Sequence, residues 1–436
     1  MQQQQKQTGL VWFRNNLRIH DNTSLKKACD ENQQVIAVYF FDPKYFIEDE
    51  FGFQKTAKFR AQFLIETITD LKQNLAKLNI TLLTYFDAPE YKIVSLCDSV
   101  SVDKIYTQKE WTRDETDTND FIKRNLNDNI DFIEDYDQFL YHPETVSRNF
   151  NNIPDVFTAF RKKLEKYVDI LEEVHVSKLS QENLVENTTK VPSIQDLGFE
   201  DFEIPHKTAF PFTGRETEAL KRLDYYLFES KKVGFYKKTR NGLVGIDYST
   251  KFSPWLANGS LSAKTIYYQV KKYEQEFGKN QSTYWVIFEL IWRDYFKYIS
   301  LKYDNKIFKI GGILDRNYDW KSDKKTTQKW INGETSDDFV NANMIELKET
   351  GWMSNRGRQN VASYFAKELL LDWRIGAAYF ESILLDYDVH SNYGNWMYVA
   401  GVGNDPRDRK FNTQLQAERY DSNYKFRNLW LEKTLF

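Results

Sequence analysis

The chain has few of the residues that build metal sites and disulfide frameworks. Its 436 residues include two cysteines, Cys29 and Cys97, and five histidines. The two cysteines are far apart and the histidines lack the close spacing of metal ligands, so we expect no metal site. Two cysteines also cannot form a disulfide framework, which suits a reducing compartment. From this composition we expect a cytoplasmic protein.

Long apolar runs and a strong net charge are also missing. No segment approaches the roughly 20 consecutive apolar residues that a membrane-spanning helix needs. The glutamine-rich start, residues 1–7, lacks the apolar core of a signal peptide, and we expect it to be a frayed tail. The formal net charge is −3, so no overall positive field attracts nucleic acid. Any such binding has to use a local patch.

Three common nucleotide and hydrolase motifs are absent as well. No GxGxxG pattern follows the first apolar run, so the usual dinucleotide fingerprint is missing. The chain also has no GxxxxGK[ST] phosphate loop and no GxSxG nucleophile motif. If the N-terminal part binds a ligand, it does so by another route.

The residues that are present predict two different halves. Up to about residue 135, short apolar runs alternate with helical patterns, which predicts a parallel α/β sheet. The predicted buried strands lie at 10–13, 35–41, 80–85, 104–107 and 130–133. After residue 211 nearly every segment has a helical pattern, and nine of the 11 tryptophans follow residue 250.

This pattern divides the chain into three parts. We predict a parallel-sheet, Rossmann-like α/β domain at 8–135, a connector at 136–210 with a helix near 154–171, and an all-helical domain at 211–436. A chain of 436 residues is too long to pack around one ordinary hydrophobic core, which supports the division into domains. In the helical domain we expect Ser253 to cap a helix that continues with Pro254, and Ser262 to cap the next helix.

Several segments combine side chains that suit a ligand. The stretch 343–405 concentrates tryptophan, amide and charged residues, which indicates a pocket for a large planar polar ligand. The segment 247–255 places hydroxyls and a lysine before a helix N-terminus, where phosphate is favoured, but an ordinary capped helix explains it equally. Glu289, Trp292 and Arg293 lie within about one helical turn, either as ligand contacts or as an ion pair beside a core tryptophan.

Several charged residues are candidates for contact with phosphate or nucleic acid, and each also has an ordinary structural interpretation. Arg356 and Arg358 either contact phosphates or are neutralised by Asp386 or Asp388, since buried charges are usually paired. The basic segments 231–240 and 321–330 are interleaved with aromatic residues. They are candidates for nucleic-acid contact, although a lysine run usually forms a solvated face.

Five long motifs, in this order, carry a resemblance to a known family. They read VWFRNNLRIHDNTSL at 11–25, TRNGLVGIDYSTKFSPWL at 239–256, STYWVIFELIWRDYF at 282–296, GWMSNRGRQNVASYF at 351–365 and SNYGNW at 391–396. The chain resembles the photolyase/cryptochrome family over nearly its whole length, and within it the cryptochrome DASH branch. The resemblance implies a flavoprotein with FAD in the helical domain and a folate antenna (methenyltetrahydrofolate) near Glu110. We also expect the protein to be a monomer.

The resemblance also implies which residues surround the flavin. Asn392 matches the position that faces the reducible flavin nitrogen, and Asp386 is expected to pair with Arg358. The implied FAD-binding residues are Tyr236, Ser249, Thr250, Phe252, Ser253, Arg293, Asn355, Arg358, Asp386, Asp388 and Asn392. Trp396, Trp373 and Trp320 match the family's electron relay from flavin to surface; the alternative is that all three are packing residues.

For function, the resemblance implies light-driven repair of cyclobutane pyrimidine dimers in DNA. Glu289 is then expected to bind the flipped bases and Trp292 to stack on them, while Arg356 and Gln359 line the entrance. Tyr398 replaces a second tryptophan of double-strand photolyases, so we favour single-stranded substrates. Residues 352–359 contain no histidine, which argues against repair of six-four photoproducts. The alternative is a non-enzymatic blue-light photoreceptor that binds nucleic acid.

Overall fold

A computed structural model describes residues 7–405 and 407–431; the predicted frayed tail therefore lies almost wholly outside the described residues, as do residues 432–436 of the predicted helical domain. The first part of the chain forms one parallel sheet in the order β3-β2-β1-β4-β5. Its strands are β1 (Thr8–Phe13), β2 (Gln34–Phe40), β3 (Thr81–Tyr85), β4 (Lys104–Gln108) and β5 (Asp131–Asp135). The predicted parallel α/β sheet is confirmed.

Helices cover both faces of this sheet because every connection between parallel strands crosses over it. They are α1 (Thr23–Glu31), α2 (Lys58–Lys77), α3 (Pro89–Val100) and α4 (Arg113–Asn125). Alternate residues of β1 enter opposite cores: Val11 and Phe13 pack with α1 and α2, while Leu10 and Trp12 pack with α3 and α4. All of β1 is buried, as expected for a central strand.

The segment after the sheet is mostly irregular. It contains α5 (Pro143–Asn149) and α6 (Phe157–Tyr167), and later only a short 3-10 turn at Gln181–Asn183. Asn183 exchanges two hydrogen bonds with the backbone of Val35 and donates a third to the carbonyl of Asn79. Asn183 thus helps to hold the long segment against the sheet, as does Asn187, which donates to the Leu82 carbonyl. The predicted helix near 154–171 is present, and α5 is an additional helix.

The remainder of the described chain is helical. Its helices are α7 (Glu216–Asp224), α8 (Tyr236–Thr239), α9 (Ser253–Ala257), α10 (Ala263–Phe277), α11 (Gln281–Tyr303), α12 (Lys324–Asn332), α13 (Asp338–Thr350), α14 (Asn355–Ser363), α15 (Trp373–Ile383), α16 (Val389–Ala400), α17 (Thr413–Tyr420) and α18 (Lys425–Leu431). Helix α11, with 23 residues, is the longest and is buried along most of its length. Among the described residues, no helix is long and apolar enough to cross a membrane.

The two predicted caps have different outcomes. Ser262 caps α10 and accepts a hydrogen bond from the Lys264 amide, so that prediction is confirmed. Ser253 is not a cap: the prediction is wrong because Phe252 already has helical backbone angles (φ −76°, ψ −15°). The helical turn therefore begins one residue earlier, and the Ser253 hydroxyl is not used by a helix end.

Close contacts fix the sheet against the helical part. A Cβ on Gly259, whose φ is +74°, would lie 1.8 Å from the Asn15 carbonyl, so only glycine fits there. Arg18 donates to the carbonyls of Gly259 and Asp137. The buried carboxylate of Asp294 on α11 accepts from the Leu140 and Tyr141 amides. These bonds place α11 firmly beside the connector.

Candidate functional site

A cavity of about 550 Å³ lies within the helical part. Its walls come from the loop before α9, one face of α11, the first turns of α14 and one face of α16. The predicted site residues that line it are Tyr236, Ser249, Thr250, Phe252, Ser253, Glu289, Trp292, Arg293, Asn355, Arg356, Arg358, Gln359, Asp386, Asp388 and Tyr398. The volume is in the range of cofactor and ligand sites.

Helix starts turn polar groups toward this cavity. Ser354 caps α14 and accepts from the Gly357 amide at 3.0 Å, so the first turn of α14 presents Asn355 and Arg356. Asp388 caps α16 and accepts from the Ser391 amide at 2.8 Å. The N-terminal ends of helices carry partial positive charge and unpaired amides, which favour anionic ligands.

An ion pair forms one wall of the cavity. Arg358 donates through Nη2 to Asp386 at 2.9 Å and through Nε to the Met353 carbonyl at 2.9 Å. Asp386 is 8% exposed, so the pair is largely shielded from water. Two contacts fix the guanidinium plane and leave its remaining donors available to a ligand.

A second ion pair holds Asp388. Lys297 Nζ donates to Asp388 Oδ2 at 2.6 Å. Burial alone would raise the pKa of Asp388, but the Lys297 ammonium, together with other nearby positive charges, holds it well below its ordinary value. The carboxylate is therefore ionised and serves as a hydrogen-bond acceptor on the cavity wall.

Two buried groups in this region were not among the predicted site residues. Lys251 is 1% exposed, and its ammonium has no hydrogen-bond partner in the described structure. It lies 3.4 Å from the Tyr248 ring centroid and 4.5 Å from that of Trp352. Its φ of +65° is unusual for lysine. Glu346, also 1% exposed, has no hydrogen-bond partner for either carboxylate oxygen within the described chain.

A lysine and a glutamate can neutralise each other, but no hydrogen bond joins Lys251 to Glu346 in the described structure. Burial lowers the pKa of Lys251 and raises the pKa of Glu346 to about 8. A buried ammonium without a partner is costly unless a ligand supplies negative charge. Lys251 lines the cavity beside Ser249, Thr250 and Ser253, a donor set that fits a phosphate group. The only sequence signal was the lysine within the segment 247–255.

At the other side of the cavity, Glu289 and Trp292 lie one turn apart on α11. Glu289 forms an ion pair with Arg240, and burial raises the pKa of Glu289 although Arg240 opposes the shift. The Trp292 ring stacks on Phe157, with centroids 3.6 Å apart and planes 9° apart. Tyr398 meets the Trp292 ring edge-on at 6.1 Å. Phe157 thus covers one face of Trp292, Tyr295 and Phe296 also contact the ring, and what remains of it lines the cavity.

The cavity entrance carries a group of arginines. Arg356 donates to Gln359 at 2.8 Å and to Asn241 at 3.1 Å. Arg409 donates to the Tyr398 hydroxyl at 3.0 Å. All of these cavity contacts are polar and partly exposed, so the entrance can exchange them for contacts to phosphate.

Two predicted residues occupy different surroundings from the others. Arg293 lines the cavity but donates to the backbone carbonyls of Gln138 and Leu256, so much of its donor capacity serves the fold. Asn392 is buried and donates to the Ala377 carbonyl at 3.0 Å. It is not among the residues that line the cavity, and its carbonyl oxygen remains available as an acceptor.

The three predicted relay tryptophans differ in burial: Trp396 and Trp373 are buried, and Trp320 is partly exposed. Trp396 is buried, and a Cβ on Gly376, one turn after Trp373 on α15, would lie 2.3 Å from its ring. Trp373 is fully buried and donates to the Ile310 carbonyl at 2.9 Å. Trp320 is partly exposed, and the backbone bridge between Lys321 and Leu371 holds it beside the start of α15.

A larger cavity of about 760 Å³ separates the sheet from the helical part. Glu110 lines it and accepts from Gln108 at 2.6 Å; burial raises the pKa of Glu110 to about 7. Arg293 and Asp388 line both cavities. The two cavities therefore share a wall made of charged side chains.

Comparisons with known proteins agree with this architecture. Residues 285–434 match the family model for the FAD binding domain of DNA photolyase, and residues 9–179 match the DNA photolyase model. Cryptochrome DASH of Xenopus laevis is 44% identical over 425 residues, covering 96% of this chain and 81% of that protein. Cryptochrome DASH of a Synechocystis strain is 42% identical, covering 97% of this chain and 87% of that protein.

Solved structures give the same result. A Synechocystis cryptochrome superposes with a TM-score of 0.93 at 42% identity, covering 97% of this chain and 88% of that one. An archaeal photolyase of Sulfolobus tokodaii, solved with two FAD molecules, has a TM-score of 0.78 at 28% identity and covers 98% of this chain and 90% of that one.

The sheet, the helical part with its cavity and these matches define a flavoprotein class: the chain belongs to the photolyase/cryptochrome family. Within that family it is a member of the cryptochrome DASH branch, since relatives of that branch match it over nearly its whole length. Its helical part contains the FAD-binding domain, and its cofactor is FAD.

Proposed function

We propose that this protein repairs cyclobutane pyrimidine dimers in single-stranded DNA with blue light. The observation that carries the proposal is that Glu289 and Trp292 line the same cavity as the polar groups suited to FAD. A photoreceptor needs the flavin but has no need of a carboxyl and an indole beside it. Repair needs both, because a flipped base must be hydrogen-bonded and stacked.

The cavity has the groups that FAD requires. We assign the pyrophosphate to Lys251 with the hydroxyls of Ser249, Thr250 and Ser253, since the buried ammonium then gains a charged partner. Asn355 and Arg358, fixed by Asp386, would lie along the flavin ring. Tyr236, Phe252, Arg293 and Asp388 complete the proposed binding set. The ionised Asp388 accepts hydrogen bonds, which suits a hydroxyl of the cofactor.

When bound and reduced, FAD supplies an excited-state electron to the lesion. Asn392 offers an acceptor oxygen from a buried, fixed amide, and we propose that it faces the reducible edge of the ring. Trp396, Trp373 and Trp320 are proposed to return electrons from the surface, because indoles oxidise readily and the set runs from two buried tryptophans to the partly exposed Trp320.

At the lesion, Glu289 and Trp292 have separate tasks. Glu289 lines the cavity while paired with Arg240, so its carboxylate can accept a hydrogen bond from an N–H of a flipped pyrimidine. Trp292, backed by Phe157, presents a rigid ring for stacking. Arg356, Gln359 and Tyr398 at the entrance would contact the DNA strand around the lesion.

The preference for single strands follows from the cost of flipping. Extruding a paired base costs a few kcal/mol, and less when the strand is already unpaired. Tyr398 is smaller than a tryptophan and its hydroxyl already accepts a hydrogen bond from Arg409, so it compensates less for unpairing. The matched test compares repair of one dimer in single-stranded, bubble and duplex DNA. Equal rates on all three would refute the preference, and no repair on any of them would leave the photoreceptor function.

The interdomain cavity suits a light-harvesting antenna. Glu110, with its pKa raised to about 7, can donate or accept near neutral pH, which suits the polar edge of a pterin. We propose methenyltetrahydrofolate there, and a cytoplasmic monomer overall. Reconstitution with the folate should add an absorption band that Glu110→Ala weakens; an unchanged band in that variant would oppose the assignment.

A further inference from the structure

A tyrosine with no part in the proposed site touches the middle tryptophan of the relay. Tyr393 lies on α16, one turn before Trp396. Its ring centroid is 6.2 Å from that of Trp373, with the planes at 78°. Phe308 packs edge-on against its other side at 4.8 Å. The ring is therefore fixed in direct contact with Trp373 inside the protein.

The hydroxyl of this tyrosine has a proton acceptor. Tyr393 donates to Oε2 of Glu381 at 3.2 Å. Glu381 lies on α15, the helix that also carries Trp373. Burial raises the pKa of Glu381, although Lys55 and Arg60 oppose the shift, so it is a stronger base than an exposed carboxylate. Both Tyr393 and Glu381 face the interdomain cavity.

We propose that Tyr393 is a branch electron donor to Trp373 and that Glu381 is its proton acceptor. This inference rests on the tryptophan relay of the proposed function. With oxidised FAD bound, light would draw an electron from Trp396, and Trp396 would then take one from Trp373. The oxidised Trp373 indole then takes one electron from Tyr393, and the phenol proton moves to Glu381. The products are a neutral tyrosyl radical, a restored indole and a neutral carboxylic acid.

A second tyrosine near the relay allows a matched comparison. Tyr318 lies 5.0 Å from Trp320, and its hydroxyl donates to Asp408 at 2.8 Å. Asp408 also pairs with Lys367, and although its partial burial raises its pKa, that contact and the Tyr318 hydrogen bond lower it overall. Asp408 is thus a weaker base than Glu381, and Trp320 can lose its own proton to water. The branch is assigned to Tyr393 for these two reasons.

The branch changes where the oxidising equivalent rests. Along the tryptophans alone it ends at Trp320, near the surface. Through Tyr393 it stays as a neutral radical beside the cavity between the sheet and the helical part. Neutral radicals recombine with the flavin more slowly when the proton has left, so the branch lengthens the life of the separated charges.

Electron paramagnetic resonance on flash-illuminated, rapidly frozen FAD-loaded protein tests this assignment. Without added reductant, the wild type should show a radical signal that narrows when the protein is made with ring-deuterated tyrosine. The narrowing should be lost in Tyr393→Phe and in Glu381→Gln. Glutamine keeps an acceptor oxygen but cannot take up the proton. In Tyr318→Phe the narrowing should remain. Bound flavin and thermal midpoints, measured for each variant, identify any that are misfolded.

The outcomes separate this inference from the relay itself. Flavin reduction that depends on Trp396, with no tyrosyl signal in the wild type, overturns the branch and leaves the relay intact. A signal that persists in Tyr393→Phe, or is lost in Tyr318→Phe, also overturns it. If light reduces no flavin in any variant, the relay fails and the branch fails with it.

Discussion

Replacing the buried Lys251 should have opposite effects on two quantities: the stability of the flavin-free protein and its affinity for FAD. Replacement by methionine removes a buried amino group that has no hydrogen-bond partner in the described protein. Glu346, with its pKa raised to about 8, is neutral at pH 7, so the change leaves no isolated charge behind. Replacing even a buried ion pair by apolar side chains is often neutral or stabilising by about 1–4 kcal/mol, and Lys251 has no hydrogen-bonded partner to lose. The flavin-free protein should therefore be as stable as the wild type or more so.

Binding of FAD should change in the other direction. A hydrogen bond to a charged group contributes about 1.5–3 kcal/mol, so Lys251→Met should raise the Kd for FAD about ten- to hundredfold. Fluorescence titration of stripped protein with FAD measures Kd, and denaturant unfolding measures stability. Lys348→Met, an exposed lysine on α13, is the control and should change neither. An unchanged Kd in Lys251→Met would refute the pyrophosphate assignment.

Three further predictions concern other parts of the account. Glu289→Ala should bind FAD normally but lower kcat/KM for dimer repair about ten- to hundredfold, because it removes about 1.5–3 kcal/mol of hydrogen bonding. Trp396→Phe should abolish light-driven reduction of the flavin when no reductant is added. The same variant should still repair dimers once its flavin has been reduced chemically. Because burial raises the pKa of Glu110 from 4.5 to about 7, the folded state binds the extra proton, and stability should fall by about 3 kcal/mol as pH rises across that window. Glu110→Gln should lack this fall in pH-dependent unfolding.

The fold was predictable because its signals are local. Five apolar runs and the helical patterns between them gave the parallel sheet, since crossover connections bury both faces of every strand. Helix α5 was not predicted because it is only seven residues long and begins at a proline. Ser253 was taken for a cap because sequence alone does not show that Phe252 already turns into the helix.

Site residues could be predicted where they lie together in one segment of the sequence. The motifs at 239–256 and 351–365 contain residues that line the cavity, as expected from the resemblance. Ion pairs between residues far apart in the sequence were not predicted. Arg240 pairs with Glu289, and Lys297 pairs with Asp388. Whether Lys251 and Glu346 are buried depends on how α9 and α13 pack, which no local pattern shows.

Repair of dimers in single-stranded DNA can be followed directly by absorbance. FAD-loaded, reduced protein is mixed with a single-stranded oligonucleotide that contains thymine dimers, and absorbance of thymine is followed under blue light and in the dark. We expect absorbance to return only under light, at a rate that falls in Glu289→Ala. No recovery with flavin fully bound and reduced would contradict the repair function.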